Sequence, residues 1–180
     1  MPDHNPTGSQ GRSALSDLVV FYSFSGKSRQ VAEWLAAGVS AEIDEIVETD
    51  PRDFAFRGIL RSGLDSFLRR RPAIRPMRQK ASIYDRVILC CPVWGGRIAG
   101  PARTWLHDNG ESARALGLVL QSGGGLAYRG VLTEFEDIVG RPPNPLFTVS
   151  ETDFGNRVAE RKVAEFARSI TTEAARFPAG

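Results

Sequence analysis

The sequence predicts a single α/β domain built on a parallel sheet, and three observations carry that prediction. Apolar runs of strand length, Asp17–Tyr22, Arg86–Cys91 and Leu116–Gln121, are unbroken, as strands covered on both faces require. Segments with helical periodicity separate these runs, so the strands connect by crossovers rather than hairpins. A loop follows each run directly: hydroxyl-rich with one glycine after the first, a tryptophan beside two glycines after the second, and a serine with three glycines after the third. In open parallel sheets, ligands bind outside the carboxyl ends of the strands, where the strand order reverses, and all three loops fall at that edge.

The first strand, Asp17–Tyr22, leads into a helix from about Ser28. Val31, Leu35, Ala32 and Ala36 form its apolar stripe, and Gly38 is the expected stop. Ala41–Val47 alternates Ile43 and Val47 with acids, which predicts a half-exposed edge strand. Phe56, Ile59, Leu60, Leu64, Phe67 and Leu68 recur at helical spacing and predict a helix from about Asp53 to Arg71, ended by Pro72 and Pro76. The second main strand is Arg86–Cys91. Pro101 then opens a helix that runs through Trp105 and Leu106 to Asn109-Gly110. After the third main strand, Leu116–Gln121, comes a helix at about Val131–Val139, with Val131, Phe135, Ile138 and Val139 on one side. Pro145–Val149 is a short last strand. The final helix, about Arg157–Arg176, places Val163, Phe166, Ala167 and Ile170 on one face.

Composition narrows the function classes. The chain has 180 residues, 42% of them hydrophobic, which suits one domain with a real core. No apolar run is long enough for a membrane span. Residues 1–16 are polar, lack the apolar stretch of a signal peptide and read as a disordered tail before a domain at 17–176, so a cytoplasmic protein is expected. Cys90 and Cys91 are the only cysteines; as strand neighbours they point to opposite faces and are expected to be reduced core thiols. The two histidines offer no metal-ligand spacing. Net charge is +2, but Arg52 to Lys80 holds nine basic residues and two acids. That segment reads as a solvated basic face or a docking patch for an anionic partner. Its aromatics, Phe54, Phe56 and Phe67, form no nucleic-acid recognition motif.

The loops carry the chemistry. Ser23-Phe24-Ser25-Gly26-Lys27-Ser28 sits between a strand and a helix start, where free N–H groups and partial positive charge hold an anion. Ser23, Ser25 and Ser28 add hydroxyls, and Gly26 lets the backbone approach. Gly26-Lys27-Ser28 is not the end of a P-loop, because the glycine required five residues earlier is Phe21. Pro92-Val93-Trp94-Gly95-Gly96 offers an indole beside two glycines, suited to a flat ring. Ser122 and Gly123–Gly125 would bring a third backbone to the same ring, with Tyr128 beside it. The pocket so described takes a nucleotide-like ligand with a phosphate at one end and a ring system at the other.

At these residues the chain resembles the flavodoxin-like family of FMN-binding proteins. Ser23–Ser28 is similar to that family's phosphate loop, a hydroxyl–x–hydroxyl–Gly–x–hydroxyl pattern. Pro92–Gly96, with Pro101 and Trp105 beyond it, resembles the loop packed against the isoalloxazine. Tyr84–Ile88 and Gly117–Gly125 resemble the approach to that strand and the next strand with its glycine turn. The resemblance spans about Asp17 to Ile170. It implies a three-layer fold with five parallel strands in the order 2-1-3-4-5 and helices on both faces. It also implies FMN as cofactor, with Ser23, Phe24, Ser25, Gly26, Lys27 and Ser28 at the phosphate. Pro92, Val93, Trp94, Gly95 and Gly96 would line the ring, and Ser122, Gly123 and Gly124 would close its other side. The implied role is electron transfer with a redox partner protein. An FMN-dependent NAD(P)H:quinone-type reductase and a flavin-free binding or regulatory module on the same fold are the alternatives. Gly96 and Arg97 stand where many electron-carrier flavodoxins have acids, and the 52–80 connection is basic.

Overall fold

The computed structural model describes residues 16–52, 63–65, 67–123 and 128–176. Residues 1–15 of the expected tail, most of the expected 53–71 helix, and Gly124 and Gly125 lie outside these residues. Ser16 belongs to the folded domain rather than to a tail: its N–H donates to Asp85 Oδ2 at 2.9 Å and its carbonyl accepts from Asp85 N at 3.0 Å. The Ser16 hydroxyl also donates to Asp85 Oδ2, at 3.0 Å, and the N–H and hydroxyl together hold the Asp85 carboxyl below its ordinary pKa.

Five parallel strands form the sheet: β1 (Asp17–Phe21), β2 (Glu42–Glu45), β3 (Arg86–Trp94), β5 (Leu116–Ser122) and β6 (Leu146–Ser150). Their order, β2-β1-β3-β5-β6, is the expected one. A sixth strand, β4 (Arg97–Ile98), pairs antiparallel with β3 and was not expected. The four α-helices with assigned ends are α1 (Lys27–Val39), α2 (Gly100–Asn109), α3 (Tyr128–Val139) and α4 (Val158–Arg176).

Strand alternation divides the core into two layers. Leu18, Val20, Leu89, Cys91, Leu118 and Leu120 pack with Ala102, Trp105, Leu106, Val131 and Phe135 of α2 and α3. Val19, Phe21, Ile88, Cys90 and Val119 pack with Val31, Leu35, Val163, Ala167 and Ile170 of α1 and α4. Cys90 and Cys91 therefore face opposite layers, both buried and free. Burial pushes both thiols up, Cys91 to about 12, so neither is a ready nucleophile.

Several expectations need correction. Gly38 does not stop α1; the left-handed residue is Ser40, with φ 56°. A Cβ at Gly38 would lie 2.7 Å from Ala167 Cβ, so Gly38 is where α1 and α4 touch. Within β2 the burial is reversed: Ile43 is exposed and Asp44 is 2% exposed. Asp44 Oδ2 accepts the N–H groups of Arg78 and Gln79, both at 2.8 Å, because the 73–79 segment runs along that edge. Leu64, Phe67 and Leu68, read as an apolar stripe, are 46%, 85% and 49% exposed, and Asp65 between them is buried. No helix among the described residues is long and apolar enough to cross a membrane.

Candidate functional site

The strand order reverses at β1 and β3: β1 leads out to β2, and β3 leads the other way to β5. The carboxyl ends of these two neighbours carry the two loops singled out above. At the first, Tyr22 N still donates to Cys90 O (3.0 Å), and the chain then leaves the sheet. Gly26 turns it with φ +86°, a left-handed conformation that glycine reaches without strain. α1 begins at the next residue, with no side-chain cap and no acid in its first turn. Ser28 is buried, Ser25 is exposed, and Ser23 Oγ is buried without a hydrogen-bond partner among the described residues. Burying a hydroxyl without a partner costs free energy, so an unused hydroxyl in an uncapped loop calls for an acceptor.

The second loop is tighter than its sequence suggested. β3 continues through Pro92 and Val93, which are strand residues, and Pro92 is buried beside Gln121 of β5. Trp94 ends the strand and pairs with Arg97 across a two-residue turn. Gly95 and Gly96 make that turn with φ 55° and 74°, the positive pair that a type I′ hairpin demands. Trp94 is half-buried and meets Tyr22, just after β1, and Phe24 of the first loop edge-on. Its ring lies 5.6 Å from Tyr22 and 6.1 Å from Phe24. The expected phosphate loop and ring loop are therefore in contact.

Sequence reasoning missed what lies around Trp94. Arg52, read as part of a solvated basic face or an anion-docking patch, has a fully buried side chain, and its guanidinium carbon sits 5.0 Å from the centre of the Trp94 ring. Arg52 Nε donates to Glu48 Oε1 at 2.8 Å and Oε2 at 3.0 Å, and Nη2 donates to Asp65 Oδ2 at 2.7 Å. Tyr22 Oη donates to Glu48 Oε1 at 2.8 Å, and burial and the Glu48 charge push the Tyr22 pKa up, so the phenol stays protonated. The i,i+4 spacing of Glu48 and Arg52 was the only available signal. A narrow cleft of about 130 Å³ runs past Tyr22, Ser23, Phe24, Glu48 and Arg52. A wider cleft of about 420 Å³, lined by residues such as Met77, Lys80 and Asp108, belongs to the opposite edge of the sheet, before β3.

The hairpin is held from behind. Arg103 of α2 and Glu134 of α3 form a buried ion pair, and Glu134 Oε2 accepts Ile98 N–H of β4 at 3.0 Å. Gly96 O lies 2.9 Å from where a Cβ would stand at Gly130 of α3. Gly130→Ala must therefore move backbone, with an expected loss of about 1–3 kcal/mol in urea unfolding and altered Trp94 fluorescence. Unchanged stability and emission would show that the hairpin moves freely. The third loop completes the edge: Ser122 Oγ lies 2.8 Å from Tyr128 Oη, and Gly123 is exposed. Gly124 lies outside the described residues. Lys27 points to Glu151, after β6, in an ion pair.

No protein-family model matches the sequence, and no curated protein is similar to it. Solved structures are. A protein from Bacteroides uniformis named as a candidate flavoprotein superposes with a TM-score of 0.71 at 16% identity, over 87% of this chain and 99% of its own. A flavoprotein from Lactobacillus acidophilus in complex with FMN gives 0.61 at 19% identity, over 79% and 97%. Fusobacterium nucleatum flavodoxin bound to flavin mononucleotide gives 0.54 at 10% identity, over 88% and 98%. The chain has the flavodoxin-like fold. Within that fold, the contacting loops after β1 and β3 occupy the strand-order reversal where ligands bind in doubly wound sheets.

Proposed function

We propose that this flavodoxin-like chain binds FMN at the β1–β3 edge and serves electron transfer. The observation that carries this reading is the uncapped Ser23–Ser28 loop, with its unpartnered buried Ser23 hydroxyl, lying in contact with Trp94. Ser23, Ser25, Gly26, Ser28 and the start of α1 would hold the phosphate. Trp94, Gly95 and Gly96 would face the ring, with Ser122 and Gly123 beyond it. The flavin supplies one- and two-electron redox chemistry; the protein binds it, orients it and excludes water from one face. Nothing in the described edge provides for an adenine half, which favours FMN over FAD. Arg69, Arg70, Arg71 and Arg75 are exposed and suit an acidic redox partner rather than a basic one.

The direct test is a flavin titration of the purified chain. FMN is expected to bind more tightly than riboflavin and FAD, and to give a yellow protein. Equal or tighter FAD binding overturns the reading. Bleaching by NADPH without air would assign the chain to the NAD(P)H reductases instead of the carriers.

Ser23→Ala has a sharper signature. The substitution removes a hydroxyl that is unsatisfied in the ligand-free chain, so stability should hold or rise. FMN binding should weaken by roughly 1.5–3 kcal/mol if that hydroxyl donates to a charged phosphate. A loss of stability without a loss of FMN affinity would remove Ser23 from the site.

A further inference from the structure

Lys27 is the first residue of α1, where the helix dipole disfavours a cation, and α1 has no acid in its first turn. The negative charge comes from elsewhere. Glu151, at the start of the 3-10 helix Glu151–Asn156 after β6, forms an ion pair with Lys27 Nζ, and the same ammonium lies 5.7 Å from the centre of the Phe154 ring. Glu151 Oε2 also lies 3.5 Å from where a Cβ would stand at Gly123. One carboxylate is thus lodged between the helix start behind Ser23–Ser28 and the loop after β5. A dianionic phosphate held by that helix start would meet Glu151 as a like charge and Lys27 as an opposite one.

We infer that Glu151 is an internal anion that holds Lys27 until a ligand phosphate takes Lys27 over, so that Glu151 limits the preference of this site for phosphorylated over unphosphorylated ligands. The inference rests on the reading of Ser23–Ser28 as a phosphate loop. Both side chains are partly exposed, 30% for Lys27 and 51% for Glu151, so the exchange needs no rearrangement of the core. Exposure also sets its scale. Pairs of this kind are worth a few tenths to about 1 kcal/mol, or about two- to fivefold in affinity, and are weakened by salt.

The test uses the full chain, Glu151→Gln, Lys27→Met and the double variant, each titrated with FMN and with riboflavin at low and high salt. Glu151→Gln is expected to tighten FMN by about two- to fivefold at low salt and to leave riboflavin unchanged. The gain should shrink at high salt and vanish in the Lys27→Met background. Unchanged or weaker FMN binding by Glu151→Gln overturns the inference, as does an equal gain for riboflavin. An equal gain in the Lys27→Met background overturns it too, because it would reflect the field of Glu151 without any exchange of Lys27. If the unmodified chain binds no flavin, the FMN reading falls separately, and inorganic phosphate becomes the probe. A larger rise of melting temperature with phosphate in Glu151→Gln than in the unmodified chain supports the exchange, and an equal rise overturns it.

Discussion

Arg103→Met is expected to destabilise the protein by about 3–5 kcal/mol, because it leaves a buried carboxylate without its cation. Arg103 and Glu134 are 2% and 3% exposed. Beyond the ion pair, Arg103 Nη2 donates to Ile98 O at 2.8 Å, and Nη1 donates to Arg70 O at 2.9 Å and to Asp65 O at 3.3 Å. The substitution frees three carbonyls and leaves Glu134, among the described residues, with the Ile98 N–H as its one hydrogen-bond donor. Urea unfolding measures the loss, and a value under about 1 kcal/mol would show that water or a neighbour relieves Glu134. The double change Arg103→Met with Glu134→Leu should recover much of the stability, since no charge is then left buried. Flavin affinity should not recover with it. β4 loses its tie to α2 and α3, and the Trp94 turn that β4 anchors becomes free to shift.

Ser25→Ala combined with Ser28→Ala is expected to have the largest effect on ligand affinity. Each hydrogen bond to a charged phosphate should contribute roughly 1.5–3 kcal/mol. Acting independently, two would weaken FMN by about 10²–10⁴-fold. Riboflavin, which has no phosphate, should bind almost as before. Ser28 is 2% exposed in the first turn of α1, and Ser25 is exposed in the turn before it, so neither change creates a clash. Equal weakening of both ligands would mean that the loop shapes the pocket without holding the phosphate.

The sheet was legible because its signal is local. Val19-Val20-Phe21 and Ile88-Leu89-Cys90 are buried on both faces, so composition alone marked them as central parallel strands. The same holds for the turn after β1, since Gly26 is the residue a left-handed turn selects. β4 was not legible. Arg97-Ile98 is too short for any periodicity, and only the two positive φ angles of Gly95-Gly96 reveal that the chain doubles back. The burial of Asp44 was misread for a related reason. Alternation in an edge strand says which residues share a face, but not which segment later covers that face.

Charge shows the division most clearly. Taken by itself, the sequence determined an α/β domain, the order of its main elements, and the two loops at the reversing edge of its sheet. Those follow from residue-scale preferences for burial, turning and helix starting, which act within a few neighbours. It could not assign Arg52 to the Trp94 ring, Arg103 to Glu134, or Lys27 to Glu151. These partners are 42, 31 and 124 residues apart. A charged side chain looks the same in a sequence whether it faces water or a buried carboxylate. Its partner is decided only when the crossovers bring distant elements to one sheet edge, where desolvation makes pairing obligatory for the buried charges.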